Sequence, residues 1–271
     1  MSKNYLSRMW IGLVFIFLYA PLLFLVVFSF NNSRQDSVFT GFSFQWYEAL
    51  TNDNSIAEGF FISLKIALLS ATLATILATF AAYALVRFAK FRGKPIFSAM
   101  LNSPLVTPDV ILGLSLLLFF VGAERLIGWP EKGMLTIVLG HTLLGLAYAS
   151  VVIQSRLREM DRSIEEAAMD LGCYPYGVFF LVTLPNISQS LLAGWLLTFT
   201  LSFDDVVISE FLSGPGVTTL PQVIFSYARR GINPSIYAAA TLLMATVILC
   251  ITAYTIQNAY KNNRQNKILV S

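Results

Sequence analysis

Apolar and polar positions fall in long blocks along the chain, and six apolar blocks are long enough to cross a bilayer. They cover residues 10–30, 60–86, 96–122, 134–153, 188–209 and 235–259. About 20 mostly apolar residues suffice to span the hydrocarbon as a helix. Lys3 and Arg8 precede the first block, as at the start of a secretion signal. The block runs about 20 residues, too long for a signal's apolar core, and no small-x-small cleavage site follows, so a retained membrane helix is expected.

Basic residues between the blocks orient the chain, because they are retained on the cytoplasmic side. Lys3, Arg8, Arg87, Lys90, Arg92, Lys94, Arg156, Arg158, Arg162, Lys261, Arg264 and Lys267 lie on one side, against Arg34, Arg125, Lys132, Arg229 and Arg230 on the other. Both termini are therefore expected in the cytoplasm. No linker or low-complexity tract divides the chain, so residues 1–271 read as one all-α integral membrane domain. Outside the membrane, residues 44–50 predict a short interfacial helix. Its Trp46 either anchors at headgroup level or stacks on substrate.

Composition agrees. Of 271 residues, 56% are apolar and 12% charged. A soluble domain carries about 25% charge. The net charge of +3 is too small to imply nucleic-acid binding. Cys173 sits in a polar loop and Cys250 in an apolar block, so they are not expected to pair.

The polar loop 154–187 has its own pattern. Ser163 and Glu166 fit a capping box. Ile164, Ala167, Ala168 and Leu171 then share one helix face. Gly172 suits a left-handed helix stop, and Pro175 suits the first turn of a second helix ending near Pro185. A short helix with a small apolar stripe can enter a partner's groove. Alternatively it lies on the inner membrane surface. Against the latter, Glu159, Asp161, Glu165, Glu166 and Asp170 make the segment acidic, and anionic lipid attracts basic segments.

Glu166-Ala167-Ala168, Gly172 three residues on, and Val182-x-Leu184-Pro185 after nine more resemble the EAA loop of ABC importer permeases. The resemblance covers nearly the whole chain. The loop motif departs at Val182, where the usual pattern has Ile. The resemblance implies the type I permease fold with six transmembrane helices, a multi-pass place in the cytoplasmic (inner) membrane, and a coupling helix at 164–171. Ile164, Glu166, Ala167, Ala168, Leu171 and Gly172 would then meet or shape the contact with an ATP-binding subunit. The chain lacks a G-x-x-x-x-G-K-[ST] phosphate loop. It is therefore expected not to be an enzyme, with ATP hydrolysis supplied by partner subunits, two of them by the resemblance.

Acids inside the apolar blocks are costly and mark function by default. Asp109 lies near mid-membrane between Pro108 and Val110, with Pro104 one turn earlier. Prolines at that depth break hydrogen bonds and kink the helix, as helices lining a water-filled path do. Asp204 and Asp205 follow Phe203 towards the outer leaflet, with Glu210 beyond. These acids with Trp195, Phe203 and Trp46 suit an organic cation, since carboxylates supply counter-charge and aromatic faces attract ammonium. The plainer readings are a packing carboxylate for Asp109 and an interfacial helix end for Asp204 and Asp205. His141, the single histidine, reads as a packing hydrogen bond rather than a metal ligand, and Gly140 and Gly145 as close helix contacts.

Segments 103–110, 201–207, 214–221 and 231–234 are similar to the polyamine importer permeases. Segments 162–172, 128–130 and 133–137 are most similar to the putrescine-importing members. That resemblance implies that Trp46, Asp109, Ser202, Asp204 and Asp205 affect substrate passage. It also implies a second homologous permease subunit and an extracytoplasmic polyamine-binding protein, with no cofactor and no metal. Glu210 falls outside the family pattern. A different organic cation or a metal complex is the rival substrate. An ion-coupled secondary transporter would show an inverted repeat, and none is found.

Overall fold

The computed structural model of the chain describes residues 2–33, 38–88, 91–230 and 234–242, with isolated positions as far as 255. Every regular element named among them is helical. In chain order they are α1 (Ser2–Phe28), α2 (Gln45–Thr51), α3 (Asn54–Arg87), α4 (Lys94–Val106), α5 (Asp109–Ile127), α6 (Met134–Glu159), α7 (Arg162–Asp170) and α8 (Pro175–Val178). A π-helical turn (Phe179–Thr183) leads into α9 (Leu184–Asn186), α10 (Ser188–Phe203), α11 (Val207–Leu212) and α12 (Leu220–Arg230).

Four helices are long and apolar enough to cross a membrane: Ser7–Phe28 within α1, α3, α5 and α6. The pair Pro175–Asn186 and Ser188–Phe203, bent by 70°, makes a fifth if it is one broken span. Of the sixth apolar block, 235–259, residues 235–242 and scattered positions as far as 255 are described, and each of these is helical; the rest of the block lies outside the described residues.

The kink expected inside 96–122 is a complete break. Pro104 remains within α4, and the helix stops at Thr107, whose ψ of 127° is extended. Steric conflict with the ring of a following proline pushes the preceding residue out of the helical region, and here Pro108 follows. The block 188–209 is likewise divided, because α10 stops at Phe203 and α11 begins at Val207.

Two compact units are distinguished, residues 55–225 and residues 1–54 with 226–271. In the first, α6 is the central pillar. Ala67, Ala71, Ala74, Ala78 and Ala82 form a fully buried or nearly buried stripe along α3. Small residues let helix backbones approach closely where lipid offers no hydrophobic drive. Gly145 of α6 meets the Thr198 methyl and Ala74, and Gly140 meets Leu212 and Ile208, the close contacts expected of both glycines. Ile66, Leu112, Phe120, Ile137, Val138, Ile208 and Leu212 make one apolar cluster; Ala78, Ala82, Ala149, Ile153, Leu157 and Ile187 belong to a second.

In the other unit, Asn31 organises the loop after α1. Its side chain donates to the Val38 carbonyl at 2.8 Å and accepts from the Thr40 N–H at 2.9 Å. The short helix expected at 44–50 is α2. Trp46 Nε1 donates to the Asn31 carbonyl at 2.6 Å, and the Tyr47 hydroxyl bonds Ser29 Oγ at 2.8 Å.

Candidate functional site

The elbow follows α6 directly. Asp161 caps α7 by accepting the Ser163 N–H at 3.0 Å. The cap therefore lies two residues before Ser163, where the capping-box pattern had placed it. The reason is that the chain is already extended at Met160 and Asp161, with ψ of 124° and 128°, so α7 starts earlier. The Ser163 backbone N–H, helped by its hydroxyl, holds the Asp161 carboxyl below its ordinary pKa. At the other end, Gly172 N–H bonds Met169 O and Cys173 N–H bonds Ala168 O. Gly172 has φ of +89°, as its place in the sequence predicts. Left-handed backbone of this kind is strained for residues with a Cβ.

The two faces of α7 differ sharply. Ile164, Glu166 and Ala167 are exposed, Ala168 is half-buried, and Leu171 is 90% exposed. Glu165 points inward instead. Its Oε2 lies 2.8 Å from Arg87 Nε at the end of α3, and its Oε1 accepts the Thr183 hydroxyl at 2.7 Å. Both charged side chains are less than a tenth exposed, at 8% for Arg87 and 9% for Glu165. Arg87 also donates to the Leu157 carbonyl of α6 at 3.0 Å, and Arg162 donates to the Val86 carbonyl at 2.9 Å. Phe179, past the turn, packs edge-on against Tyr83 at 4.9 Å and stacks with Phe80.

The second group of predicted residues surrounds the gap between α10 and α11. His141 of α6 is buried there. Its Nδ1 lies 2.6 Å from Ser202 Oγ and its Nε2 3.1 Å from Asp205 Oδ2, with Ser209 Oγ at 3.3 Å. These partners assign the proton to Nε2, donating to the carboxylate, while Nδ1 accepts the Ser202 hydroxyl. Asp205 also accepts the Ser209 N–H at 2.8 Å, capping α11. A carboxylate at that position satisfies donors that the first turn of a helix leaves free. Asp204, its neighbour, is exposed. Glu210 is exposed too and accepts from Gln222 at 3.1 Å.

A row of aromatic rings descends α10. Trp195 stacks on Phe199 at 5.3 Å, Phe199 on Phe203 at 5.8 Å, and Phe203 meets Phe60 of α3 edge-on at 5.9 Å. Trp195 Nε1 donates to Thr72 Oγ1 at 3.1 Å. Asp109 stands exposed in the first turn of α5. One turn on, a Cβ at Gly113 would lie 2.6 Å from the Phe211 ring of α11, so α5 and α11 are closely packed just beyond Asp109.

The structure thus joins Ser202 with Asp205 through His141, and Trp195 with Phe203 through Phe199. Asp204 and Asp109 face outward from the same unit, whereas Trp46 belongs to the other unit. Glu165, Arg87, Thr183, Phe60 and Phe199 were not among the predicted site residues. Phe199 had a signal, since it stands four residues from both Trp195 and Phe203. Glu165 had none, since it counted only as one of five acids in an acidic segment.

Long apolar helices, a braced elbow that offers its apolar stripe outward, and acids at helix breaks define a multi-pass membrane transport component. The chain belongs to the family of binding-protein-dependent transport system inner membrane components, which matches residues 74–262. It is 56% identical over 234 residues to the putrescine transport system permease protein PotI of Escherichia coli strain K12, covering 86% of this chain and 83% of that one. It is 37% identical over 240 residues to the spermidine/putrescine transport system permease protein PotC of the same strain, covering 89% of each. Its fold matches a solved bacterial ABC transporter involved in import of the acidic polysaccharide alginate, with a TM-score of 0.70 at 14% identity over 94% of this chain and 95% of that one.

Proposed function

We propose that the chain is the permease subunit of an ATP-driven importer of putrescine. It forms half of a translocation path beside a second, homologous permease. Residues 1–271 act as one membrane domain crossing six times, with both termini in the cytoplasm. An extracytoplasmic binding protein delivers the substrate, and two ATP-binding subunits act on the elbow. The elbow carries this reading: an apolar stripe from Ile164 through Ala167 to Leu171 faces outward while the same helix is held from behind by Arg87. An exposed apolar stripe on a short helix is a recognition face. The choice of putrescine is supported by the 56% identity with PotI, by exposed Asp109, and by exposed Asp204 directly following half-buried Phe203.

In this reading the acids replace part of the water lost by each ammonium group. Trp195, Phe199 and Phe203 offer ring surface to the cation and its methylenes. The test is the native complex, purified through this chain and reconstituted with binding protein in liposomes. Putrescine should stimulate ATP hydrolysis and enter the vesicles. Asp109→Asn should abolish uptake with the complex intact; normal uptake by a fully assembled variant removes Asp109 from the path. Cross-linkers placed at 164, 167 and 171 should capture the ATP-binding subunit.

A further inference from the structure

We propose that the buried Arg87–Glu165 pair is a force-bearing joint, through which movement of the elbow is passed into α3. This rests on the function proposed above, since it presumes that an ATP-binding subunit moves the elbow. Glu165 and Arg87 are residues that position the elbow; neither faces the stripe assigned to the ATP-binding subunit.

Withdrawing two charges from water is expensive, and an apolar pair of similar volume often serves stability equally well or better. A buried ion pair therefore points to something other than stability, and geometric definition is its best-supported use. Here every bond from the pair crosses an element boundary. Glu165 of α7 reaches Arg87 at the end of α3 and Thr183 in the turn beyond α8. Arg87 reaches back to Leu157 near the end of α6. Arg162, one residue into α7, takes the Val86 carbonyl. Four segments thus meet at one point behind the exposed stripe.

The attachment has a direction. α3 is a continuous helix of 34 residues from Asn54 to Arg87, about 50 Å at 1.5 Å per residue. Pulling on its end at Arg87 displaces the whole rod, and the rod carries Thr72 and Phe60, which touch Trp195 and Phe203. The elbow is consequently connected through one helix to the aromatic row beside Asp204. Packed elements shift between discrete arrangements rather than deforming continuously, so a rigid joint transmits what a compliant one would absorb.

The test separates coupling from stability. Arg87→Met with Glu165→Gln leaves no unpaired buried charge and keeps an acceptor for Thr183. In the reconstituted complex the double variant should retain ATP hydrolysis, while putrescine imported per ATP hydrolysed falls about tenfold, the size of an ordinary coupling between sites. An unchanged ratio overturns the proposal, whatever the absolute rates. Thr183→Val keeps both charges and removes one of the two contacts that hold Glu165, leaving its carboxylate held by Arg87 alone. It should lower the ratio about fivefold, the low end of ordinary coupling between sites, and a wild-type ratio in this variant overturns the proposal even if the double variant fails to assemble. The wild-type complex controls for function: no putrescine uptake there overturns the substrate reading, whereas uptake there with unaltered ratios in the variants overturns only the joint.

Discussion

Two pairs of adjacent acids sit in different parts of the molecule, Glu165 with Glu166 on the elbow and Asp204 with Asp205 at the helix break. Each pair divides in the same way. Glu165 turns inward to Arg87 and Thr183, while Glu166 is exposed. Asp205 turns inward to His141 and the start of α11, while Asp204 is exposed. The inward partners differ, however. Arg87 is permanently charged and brings a fixed fork of donors. His141 holds its partners with a ring that need not be charged, among two serine hydroxyls. One arrangement fastens a surface element to the ends of long helices. The other pins a gap within the helical body. In both, one acid is bonded within the fold and its neighbour is exposed: on α7 because adjacent residues point about 100° apart on a helix, and at the break because Asp205 turns to His141 and the first turn of α11.

Substitutions within each pair should therefore separate. The largest effect is expected on the elbow. Glu165→Ala leaves Arg87 buried without its counter-charge, which costs about 3–5 kcal/mol, whereas Glu166→Ala should stay within about 0.5 kcal/mol. Thermal unfolding of the purified complex measures both, and equal shifts would show that the two acids are not divided between an inward and an outward role. At the helix break, Asp205→Ala loses a cap and a buried hydrogen bond, worth about 2 kcal/mol together. Asp204→Ala should leave stability nearly unchanged yet lower putrescine uptake about tenfold, by removing a charge-assisted contact. If Asp205→Ala instead leaves stability intact and removes uptake alone, the roles within that pair are reversed.

The smallest effect is expected from pH at the start of the elbow. The Asp161 carboxyl is held below its ordinary value by the Ser163 N–H. Its contribution to α7 is therefore complete above the unfolded pKa and disappears as pH falls through the folded one. Fraying of α7, read by hydrogen exchange across 162–170, should begin only in acid. Asp161→Ala should fray it at neutral pH and remove the acid dependence.

Much of this was legible in the chain. The stop at Gly172, the start at Pro175 and a disturbance of the helix at Pro108, though not its full break, depend on a few consecutive residues, and the membrane character of each apolar block depends on its own run of about 20 residues. The spacing from Glu166 to Pro185 pointed to the family that residues 74–262 match. The position of the α7 cap was misjudged by two residues, because Ser163 and Asp161 both suit a cap and the choice depended on where the chain leaves α6. His141 was read as a packing residue, and its bonds to Ser202 and Asp205 agree.

Sequence alone determined which residues share a helix face and where each helix could start or stop, since those are contacts within a turn. Tertiary structure decided which face turns inward. Ser202 finds His141 across 61 residues and Arg87 finds Leu157 across 70. Such partners are chosen by how helices approach, through small-residue contacts such as Gly145 on Thr198, and no local pattern encodes that approach. Each acid pair reads in the chain as two like charges side by side; only the packed helices make one of them a fastening and leave the other exposed.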